Sequence, residues 1–429
     1  MVNETPYRIN VSDDQIALLK AKLELAVLPD ELDDAGWDYG TPLGDVSRLV
    51  DYWKTIFDWK KQEKAINDAL PQFTRDIEVE GHGKLNIHYV HKRSEVNGAV
   101  PLLFVHGWPG SFLEVTKILP LLTQSDPSAP SFHVVAYSLP GFGFSEGAKR
   151  KGFGVAKMAE VGHKLMLALG YDQYSKSLHL LASITQRIAT DYGGKHCMAW
   201  HHNMPWYVIP SPLLNSTPPL LASSLNLTLV TSLPVRPDER PGLDRTLEID
   251  RTGRAYGSIQ ETKPQTIGYA LADSPVGLLA WIYEKLVAWT DGYAWSDDEG
   301  ACFFLTWVSI YWFARAGPAA SVRIYRESVY PKRESVDANG QIVYVNREIP
   351  PDPDNAPTIP MGMSQFPKDI YVYPKSWRYT LGNVVFEDEH ESGGHFAAHE
   401  KPDALVGDLR AMFGKDGPAY GVVPDKDGY

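Results

Sequence analysis

Hydrophobic residues near the start of the chain recur with helical spacing. Ile16, Leu19 and Leu23 repeat every three or four positions, the pattern continues to Leu28, and residues 46–59 form a second, aromatic-rich amphipathic stretch. A period near 3.6 places such side chains on one face of a helix. The pattern therefore predicts a helical lead that precedes the first strand.

Short, mainly apolar runs follow this lead and have the character of strands. Residues 84–91 alternate apolar and polar side chains, whereas residues 101–105, 132–139 and 177–181 are more continuous runs. Alternation is typical of a half-buried strand, and a continuous run is typical of a strand covered on both faces. Because helical patterns separate these runs, the sequence predicts an α/β fold with a mostly parallel sheet flanked by helices.

The composition of the sequence changes after residue 205. Pro-, Ser- and Leu-rich sequence leads into Asp- and Arg-rich stretches, and aromatic helical patterns then run from residue 267 to residue 313. Strand-and-turn character returns at residues 361–373 and again at 379–386. We interpret the middle segment as a helical insertion between two halves of the sheet.

Charge and composition limit which class of molecule the protein can bind. The 41 Lys and Arg residues and 53 Asp and Glu residues give a net charge of −12, which repels a phosphate backbone and argues against nucleic acid. The 12 Trp, 22 Tyr and 15 Phe residues indicate an aromatic interior or pocket. We therefore expect a small-molecule partner.

Targeting signals and cysteine usage bear on the compartment. Cys197 and Cys302 are too few for a disulfide framework. Residues 1–10 lack the pattern of a signal peptide, and no window approaches the roughly 18 apolar residues of a membrane span. The expectation is a soluble, cytoplasmic protein without a membrane span. The sequence leaves the oligomeric state open, with a homodimer as one option.

Several sequence blocks resemble one known family. His-Gly-Trp-Pro-Gly at 106–110, Pro-Gly-Phe-Gly-Phe-Ser at 140–145 and Gly-Gly-His-Phe at 393–396 are similar to loops of the α/β-hydrolase fold. Other blocks resemble the microsomal-type epoxide hydrolases and their soluble fungal relatives, in order and at the spacing of that family. These blocks are Trp37-Asp38-Tyr39-Gly40, Ile87-His88-Tyr89-Val90-His91, Thr262-Lys263-Pro264-Gln265-Thr266 and Arg323-Ile324-Tyr325-Arg326-Glu327.

The resemblance spans essentially the whole chain and implies a domain organisation. An N-terminal extension of the epoxide hydrolase type would cover residues 1–94. The first half of an α/β-hydrolase core would cover residues 95–205 and the second half residues 320–429. A helical lid would occupy residues 206–319 between the two halves.

The same resemblance implies roles for individual residues. In that family an aspartate attacks the epoxide, a His-acid pair then activates water against the ester, and two tyrosines hydrogen-bond the epoxide oxygen. His395 matches the base, Asp369 the carboxylate that orients it, and Tyr256 and Tyr325 the two tyrosines. Four residues are expected to line the oxyanion side of the pocket, around a cis bond before the proline: His106, Gly107, Trp108 and Pro109.

The nucleophile position departs from the family. Where the family has a Gly-Gly-Asp-x-Gly-Ser elbow, this chain reads Leu178-His179-Leu180-Leu181-Ala182-Ser183, so Leu180 stands at the position of the lost nucleophile. The strained turn of an elbow leaves little room for flanking side chains, and these are no longer glycine. The sequence therefore predicts an epoxide hydrolase-like protein without the covalent aspartate.

Three functions remain open on this reasoning, and the first is preferred because Leu178, Leu180 and Leu181 replace an anionic patch by apolar surface, which disfavours water. The first is an enzyme in which the tyrosines open an apolar epoxide and an internal group captures it, which gives cyclisation or rearrangement. The second is hydrolysis by water that His395 and Asp369 activate. The third is a protein without catalytic activity that binds a hydrophobic small molecule or a partner.

Other chemistry is disfavoured by the residues. Ser183 lacks glycines on both sides, so a displaced serine nucleophile is a poor fit. The histidines at 179, 196, 201 and 202 lack the soft ligands and helical spacing of a metal site. The sequence implies no cofactor and no metal.

Overall fold

A mixed β-sheet with helices packed against it organises the chain. The computed structural model describes residues 4–178, 182–204, 235–295, 298–329, 332–336, 342–345, 356–378 and 381–429. The strands in these residues are β1 (Thr5–Pro6), β2 (Gln72–Val79), β3 (Gly83–Lys92), β4 (Val100–Val105), β5 (Phe132–Tyr137), β6 (Tyr174–Leu178), β7 (Cys197–His202), β8 (Lys332–Val336), β9 (Ile342–Val345), β10 (Pro360–Gln365) and β11 (Asn383–Glu389).

The main sheet has the order β1-β2-β3-β5-β4-β6-β7-β10-β11. Its first four strands pair antiparallel, and the strands from β5 to β11 pair parallel. β8 and β9 form a separate antiparallel pair. The parallel part confirms the predicted α/β class, and this strand arrangement with its flanking helices is the α/β-hydrolase fold.

Helices follow or separate the strands. In chain order they are α1 (Asp13–Glu24), α2 (Leu43–Thr55), α3 (Trp59–Ala69), α4 (Val115–Thr123), α5 (Val155–Ala168), α6 (Ala182–Tyr192), α7 (Arg240–Thr252), α8 (Ala255–Thr262), α9 (Pro264–Asp273), α10 (Pro275–Ala288), α11 (Asp298–Trp312), α12 (Arg323–Val329), α13 (Lys375–Arg378), α14 (Ala397–Glu400) and α15 (Pro402–Phe413). α4 packs against β5 and α15, whereas α5 packs against β2 and α6.

The N-terminal helices begin at side-chain caps. Ser12 starts α1 with a reciprocal capping box, and Asp58 accepts from the backbone of Lys61 at the start of α3. The amphipathic stretch predicted at residues 46–59 is two helices, because α2 ends at Thr55 and the Asp58 cap starts a new one. The apolar residues after Glu24 lie beyond the end of α1, where Leu25 is exposed.

The apolar runs are strands with shifted ends. Residues 101–105 lie within β4 and residues 84–91 within β3, as predicted. The run predicted at 177–181 begins too late, because β6 starts at Tyr174, and its last three residues, 179–181, lie outside the described residues. β2 and β7 were not predicted.

The strand ends set up the site. Parallel strands deliver their following loops to one edge of a sheet, where ligands bind in open α/β folds. The 106–110 loop follows β4, residue 369 lies shortly after β10, and residue 395 lies shortly after β11. Helices α7 to α11 occupy much of the predicted insertion, and residues 205–234 lie outside the described residues. The domain limits at 94, 205 and 319 stay a prediction.

Candidate active site

Two phenols meet at the junction of α8 and α12. Tyr256 is the second residue of α8, Tyr325 is the third residue of α12, and these helices pack together. The two hydroxyl oxygens are 3.1 Å apart, and the rings are edge-to-face with centroids 5.8 Å apart. The structure thus brings the two predicted tyrosines together from positions 69 residues apart in the chain.

Burial raises the pKa of both phenols above its ordinary value. Loss of solvent raises the pKa of Tyr256 well above its ordinary value, and the neighbouring Tyr325 raises it further. Burial is also the main cause that raises the pKa of Tyr325. A neutral phenol donates a hydrogen bond, so the pair can place two donors on a single oxygen atom.

Two indole rings flank the tyrosines. The ring of Trp108 stacks on Tyr256 at 5.3 Å with an interplanar angle of 15°, and it meets Tyr325 edge-on at 5.8 Å. The ring of Trp289 lies 5.4 Å from the ring of Tyr256. Both indoles are buried. An organic molecule beside the phenols would therefore face aromatic surfaces.

His395 and Asp369 form a buried pair. The Nδ1 atom of His395 lies 2.7 Å from Oδ1 of Asp369, and each residue is 1% exposed. The same oxygen accepts from the backbone N–H of Ile370 at 2.6 Å, which fixes the carboxylate. Because the carboxylate accepts, Nδ1 carries a hydrogen, and Nε2 is the ring nitrogen that could exchange a proton with a substrate.

Trp289 lies between the phenol pair and the His-Asp pair. Its indole is edge-on to His395 at 5.2 Å, and its carbonyl accepts from the backbone N–H of His395 at 2.7 Å. Sequence reasoning did not single out Trp289. The residue is the cap at the end of α10, and no local pattern distinguishes it from other tryptophans of the chain.

Steric constraints explain why the two residues before His395 are glycine. Gly393 has a φ of 109°, which side chains rarely adopt. At Gly394, an added Cβ would come 2.4 Å from the carbonyl oxygen of Trp289. The motif Gly-Gly-His therefore lets the backbone turn and approach Trp289 closely.

His106 organises the loop after β4. Its Nδ1 donates to the carbonyl of Gly107 at 3.1 Å, and its Nε2 accepts from the backbone N–H of Leu139 at 3.1 Å. Burial lowers the pKa of His106 to about 4, so the ring is neutral and tied to the next loop. The predicted cis bond between Trp108 and Pro109 is confirmed.

The carbonyls of this loop are held from α11. Trp307 donates its Nε1–H to the carbonyl of Pro109 at 2.6 Å, and the hydroxyl of Tyr311 donates to the carbonyl of Gly110 at 2.5 Å. Those carbonyls are consequently occupied. Of the four predicted loop residues, Trp108 contacts the phenol pair through its ring, and an oxyanion role for the backbone of His106, Gly107, Trp108 and Pro109 stays a prediction.

Glu114 is a buried carboxyl group that sequence reasoning did not assign to the site. Its Oε1 accepts from the backbone N–H of Ser111 at 3.1 Å, and its charge interacts with that of His395. Burial raises the pKa of Glu114 well above its ordinary value, which favours the protonated acid. The signal in the sequence was a Ser-x-x-Glu capping box, which predicts a helix start and no chemistry.

The remaining candidate positions lie on α6 and β7 or outside the described residues. Leu180 and His179 lie outside the described residues. Ser183 is the second residue of α6. His201 and His202 are buried in β7, and the Nε2 of His201 lies 3.0 Å from the hydroxyl of Ser364.

One group of side chains in the described part of the chain has the composition of a metal site. Ligand atoms of Asp388, His390 and Asp408 lie within 4.8 Å of one another. The Nε2 of His390 already lies 2.8 Å from Oδ2 of Asp408, and the hydroxyl of Ser364 donates to the same oxygen. His390 and Ser364 therefore already occupy Asp408, while Asp388 accepts from the backbone N–H of Glu389. Among the described helices, none combines the length and apolar character needed to cross a bilayer.

Comparisons with known proteins match this chain along most of its length. The model of the epoxide hydrolase N terminus matches residues 4–115, and that of the α/β-hydrolase fold matches residues 100–175. Epoxide hydrolase 1 of Sus scrofa is 31% identical over 440 residues, which cover 95% of this chain and 88% of the relative.

Solved structures extend the comparison. The structure of Aspergillus niger epoxide hydrolase is 30% identical with a TM-score of 0.77, and the match covers 95% of each chain. Juvenile hormone epoxide hydrolase from the silkworm Bombyx mori has a TM-score of 0.78 at 27% identity, covering 95% of this chain and 93% of the silkworm chain. The fold and these comparisons therefore define an α/β-hydrolase-fold protein. Within that class, the chain belongs to the epoxide hydrolase family.

Proposed function

We propose that this protein opens an apolar epoxide by hydrogen bonds from Tyr256 and Tyr325, without an aspartyl ester intermediate. The observation that carries the proposal is the 3.1 Å approach of the two phenolic oxygens. An epoxide oxygen placed against both hydroxyls would receive two donors as its C–O bond lengthens. Donors aimed at developing negative charge lower the barrier more than they strengthen substrate binding.

His395 is the proposed base. Its contact with Asp369 at 2.7 Å orients the ring and stabilises the imidazolium that forms when Nε2 accepts a proton. The tyrosines and the His-Asp pair flank Trp289, so acid and base can act on opposite sides of one substrate. A proton taken from the attacking group on one side balances the proton given to the epoxide oxygen on the other.

The attacking group is proposed to belong to the substrate itself. Residue 180 is leucine, with Leu178 and Leu181 beside it in the sequence, so a carboxylate attack from this position is not possible. Apolar and aromatic surroundings disfavour a bound water and can stabilise positive charge on the opening carbon. Internal capture would give cyclisation, and migration of a group would give rearrangement.

Internal capture consumes and releases the same number of protons. A phenolic proton passes to the epoxide oxygen as its C–O bond breaks, and a hydroxyl of the substrate bonds to the same carbon. The proton of that hydroxyl goes to Nε2 of His395, and the imidazolium then restores the phenol through solvent. The product is an isomer of the substrate, and no external reactant is consumed.

Hydrolysis is the second candidate, and the geometry of the His-Asp pair favours it. The same base can deprotonate a water molecule, which would attack the epoxide carbon directly and give a diol. The relatives named above are epoxide hydrolases, which supports an enzyme that acts on epoxides. Hydrolysis and cyclisation differ in the source of the attacking oxygen, and rearrangement needs no attacking oxygen at all.

An experiment in heavy-oxygen water separates them. Purified protein in excess is incubated with apolar epoxides in H₂¹⁸O for a single turnover, and products are analysed by mass spectrometry. An unlabelled isomer indicates cyclisation or rearrangement, and a diol labelled in the first turnover indicates direct attack by water. A diol that is first unlabelled contradicts the proposal, because its oxygen then comes from a carboxyl group of the protein such as Glu114. Binding without turnover of any epoxide indicates the third function, a binding protein.

A further inference from the structure

The backbone around His395 is fastened to the segment that follows α10. Besides the bond from His395 to the carbonyl of Trp289, the N–H of Gly393 donates to Oδ2 of Asp291 at 2.9 Å. These contacts join residues that are 102 and 106 positions apart in the chain, counted as 393 − 291 and 395 − 289. We call residues 393–396 the histidine loop.

Glu400 completes this attachment from the other side. Its Oε2 accepts from the N–H of Asp291 at 3.0 Å, and its Oε1 accepts from the N–H of Phe396 at 3.1 Å. The backbone of Gly394 also donates to the carboxylate. Asp291 and Glu400 thus form a reciprocal pair, in which each side chain accepts from the backbone of the other segment.

Hydrogen bonds within α14 do not account for this arrangement. A carboxylate at the end of a four-residue helix could fold back on the helix start, and the bond from Phe396 fits that role. The bond from Asp291 does not, because residue 291 follows α10 and belongs to another part of the chain. The carboxylate therefore holds the histidine loop and the Trp289 segment in register.

Charged groups from several elements face Glu400. Lys117 of α4 and Arg245 of α7 interact favourably with its charge, whereas the nearby charge of Asp369 opposes it. Burial, followed by smaller effects that include Asp369, raises the pKa of Glu400 to about 7. Arg245 also donates to the carbonyls of Lys368 and Asp369 and to that of Ala288. It therefore joins the turn that carries Asp369 to the end of α10.

We propose that Glu400 is a positioning residue that sets the place of His395 through the backbone of the histidine loop. The inference rests on the proposed function of His395 as the base. Asp369 orients the imidazole ring through Nδ1, but that contact cannot fix the distance of the loop from the tyrosines. Glu400 and Asp291 fix that distance. A displacement of a reacting group by about 1 Å can cost roughly 10²-fold in rate.

The test compares Glu400→Gln with Glu391→Gln. Both substitutions replace a carboxyl group within five residues of His395 in the sequence by an amide, but Glu391 is exposed and Glu400 accepts three backbone donors. Deuterium exchange of the amides of residues 291 and 393–396 is measured in both variants and in the wild-type protein. We expect E400Q to accelerate this exchange by about tenfold or more, and E391Q to match the wild-type protein.

Kinetics and pH give a second readout. E400Q should lower kcat by about tenfold with KM nearly unchanged, because the binding groups stay in place. In the wild-type protein, acidification through the pKa of about 7 protonates Glu400 and removes an acceptor. Exchange of the loop amides, corrected for its intrinsic pH dependence, should rise below that pH, and E400Q should lack this step.

The outcomes separate the role of Glu400 from the proposed function of the enzyme. Wild-type exchange rates in folded E400Q overturn the role of Glu400, whatever the activity. If no epoxide is turned over by the wild-type protein, the proposed function fails while the exchange data still decide on Glu400. If E400Q does not fold, Glu400→Asp, which keeps the charge and shortens the side chain, should give accelerated exchange, and unchanged exchange in E400D contradicts the inference.

Discussion

The backbone carbonyl of Trp289 accepts the N–H of His395 at 2.7 Å, while the indole of the same residue lies edge-on to the imidazole. One residue at the end of α10 therefore touches both the backbone and the ring of the proposed base. Its indole also contacts Tyr256. The position of the base relative to the phenols consequently depends on how α10 ends.

Removal of the phenolic hydroxyls should suppress epoxide opening. Tyr256→Phe and Tyr325→Phe should each lower kcat by about 10²-fold, because one of two donors to the same oxygen is lost. The double variant should lose less than the product of the two effects, since both donors act as a unit. Rates are measured at saturating epoxide, with folding checked by circular dichroism.

The control for the phenols is Tyr269→Phe, because Tyr269 is exposed on α9. This variant should retain the wild-type rate. A double variant of Tyr256 and Tyr325 that is as active as the wild-type protein would remove the tyrosines from the mechanism.

Loss of the carboxylate beside His395 should impair the base. Asp369→Asn replaces the acceptor of the Nδ1 hydrogen by an amide, which favours the wrong tautomer and leaves an imidazolium without its partner. We expect kcat to fall by about 10²- to 10⁴-fold. The exposed Asp388→Asn serves as the control for charge. Equal activity of the two variants would exclude Asp369 as the orienting acid.

The aromatic face of Trp108 should matter most for substrates that develop positive charge. Trp108→Leu removes the ring that stacks on Tyr256, whereas Trp108→Phe keeps an aromatic face. A cation–π contribution of about 0.5–2 kcal/mol corresponds to roughly 2- to 30-fold in rate. Rates for a series of ring-substituted styrene oxides should drop more in W108L than in W108F. Identical series in the two variants would argue against charge stabilisation by this ring.

Lys176 should make stability depend on pH. Its side chain is fully buried on β6, its ammonium has no hydrogen-bond acceptor among the described residues, and it lies 5.2 Å from the ring centroid of Trp200. Burial lowers the pKa of Lys176 to about 7 from an ordinary value of 10.5. The unfolded chain therefore binds a proton below pH 10.5, while the folded protein takes it up only near pH 7.

The direction in which stability changes with pH follows from this difference in pKa. Stability contributed by Lys176 is lost as the pH falls from 10.5 to about 7 and stays constant below it. Lys176→Met should raise the free energy of unfolding at pH 7 by roughly 2–4 kcal/mol, and the gain should shrink at pH 9. Urea unfolding measures both. Lys84→Met, at an exposed position, should change stability by less than about 0.5 kcal/mol. A gain for K176M that does not vary with pH would contradict a shifted lysine.

Local patterns determined much of the sheet and little of its pairing. The apolar run at 101–105 predicted β4 because a strand buried on both faces needs such residues continuously. β7 escaped prediction because it ends in two histidines that are polar in sequence and fully buried in the structure. β2 alternates charged residues with apolar ones and gave a weaker signal, which its pairing with β3 overrides.

The residues of the site also differ in whether the sequence could indicate them. The resemblance named Tyr256, Tyr325, Asp369 and His395 because each sits in a recognisable local block of the sequence. It could not name Trp289, Glu114 or Glu400 as parts of one arrangement, because their importance arises from contacts across about a hundred residues or more of chain, or from burial.

By itself, the sequence determined the class of fold, the family and the residue types available for chemistry, since these depend on periodicity and on short motifs. Only the tertiary structure decided that two phenolic oxygens lie 3.1 Å apart, that His395 meets Asp369, and that Glu400 joins the histidine loop to the end of α10. The physical reason is that hydrogen bonding and desolvation depend on distance in space, and helix packing and parallel strand order set that distance without leaving a local pattern in the chain.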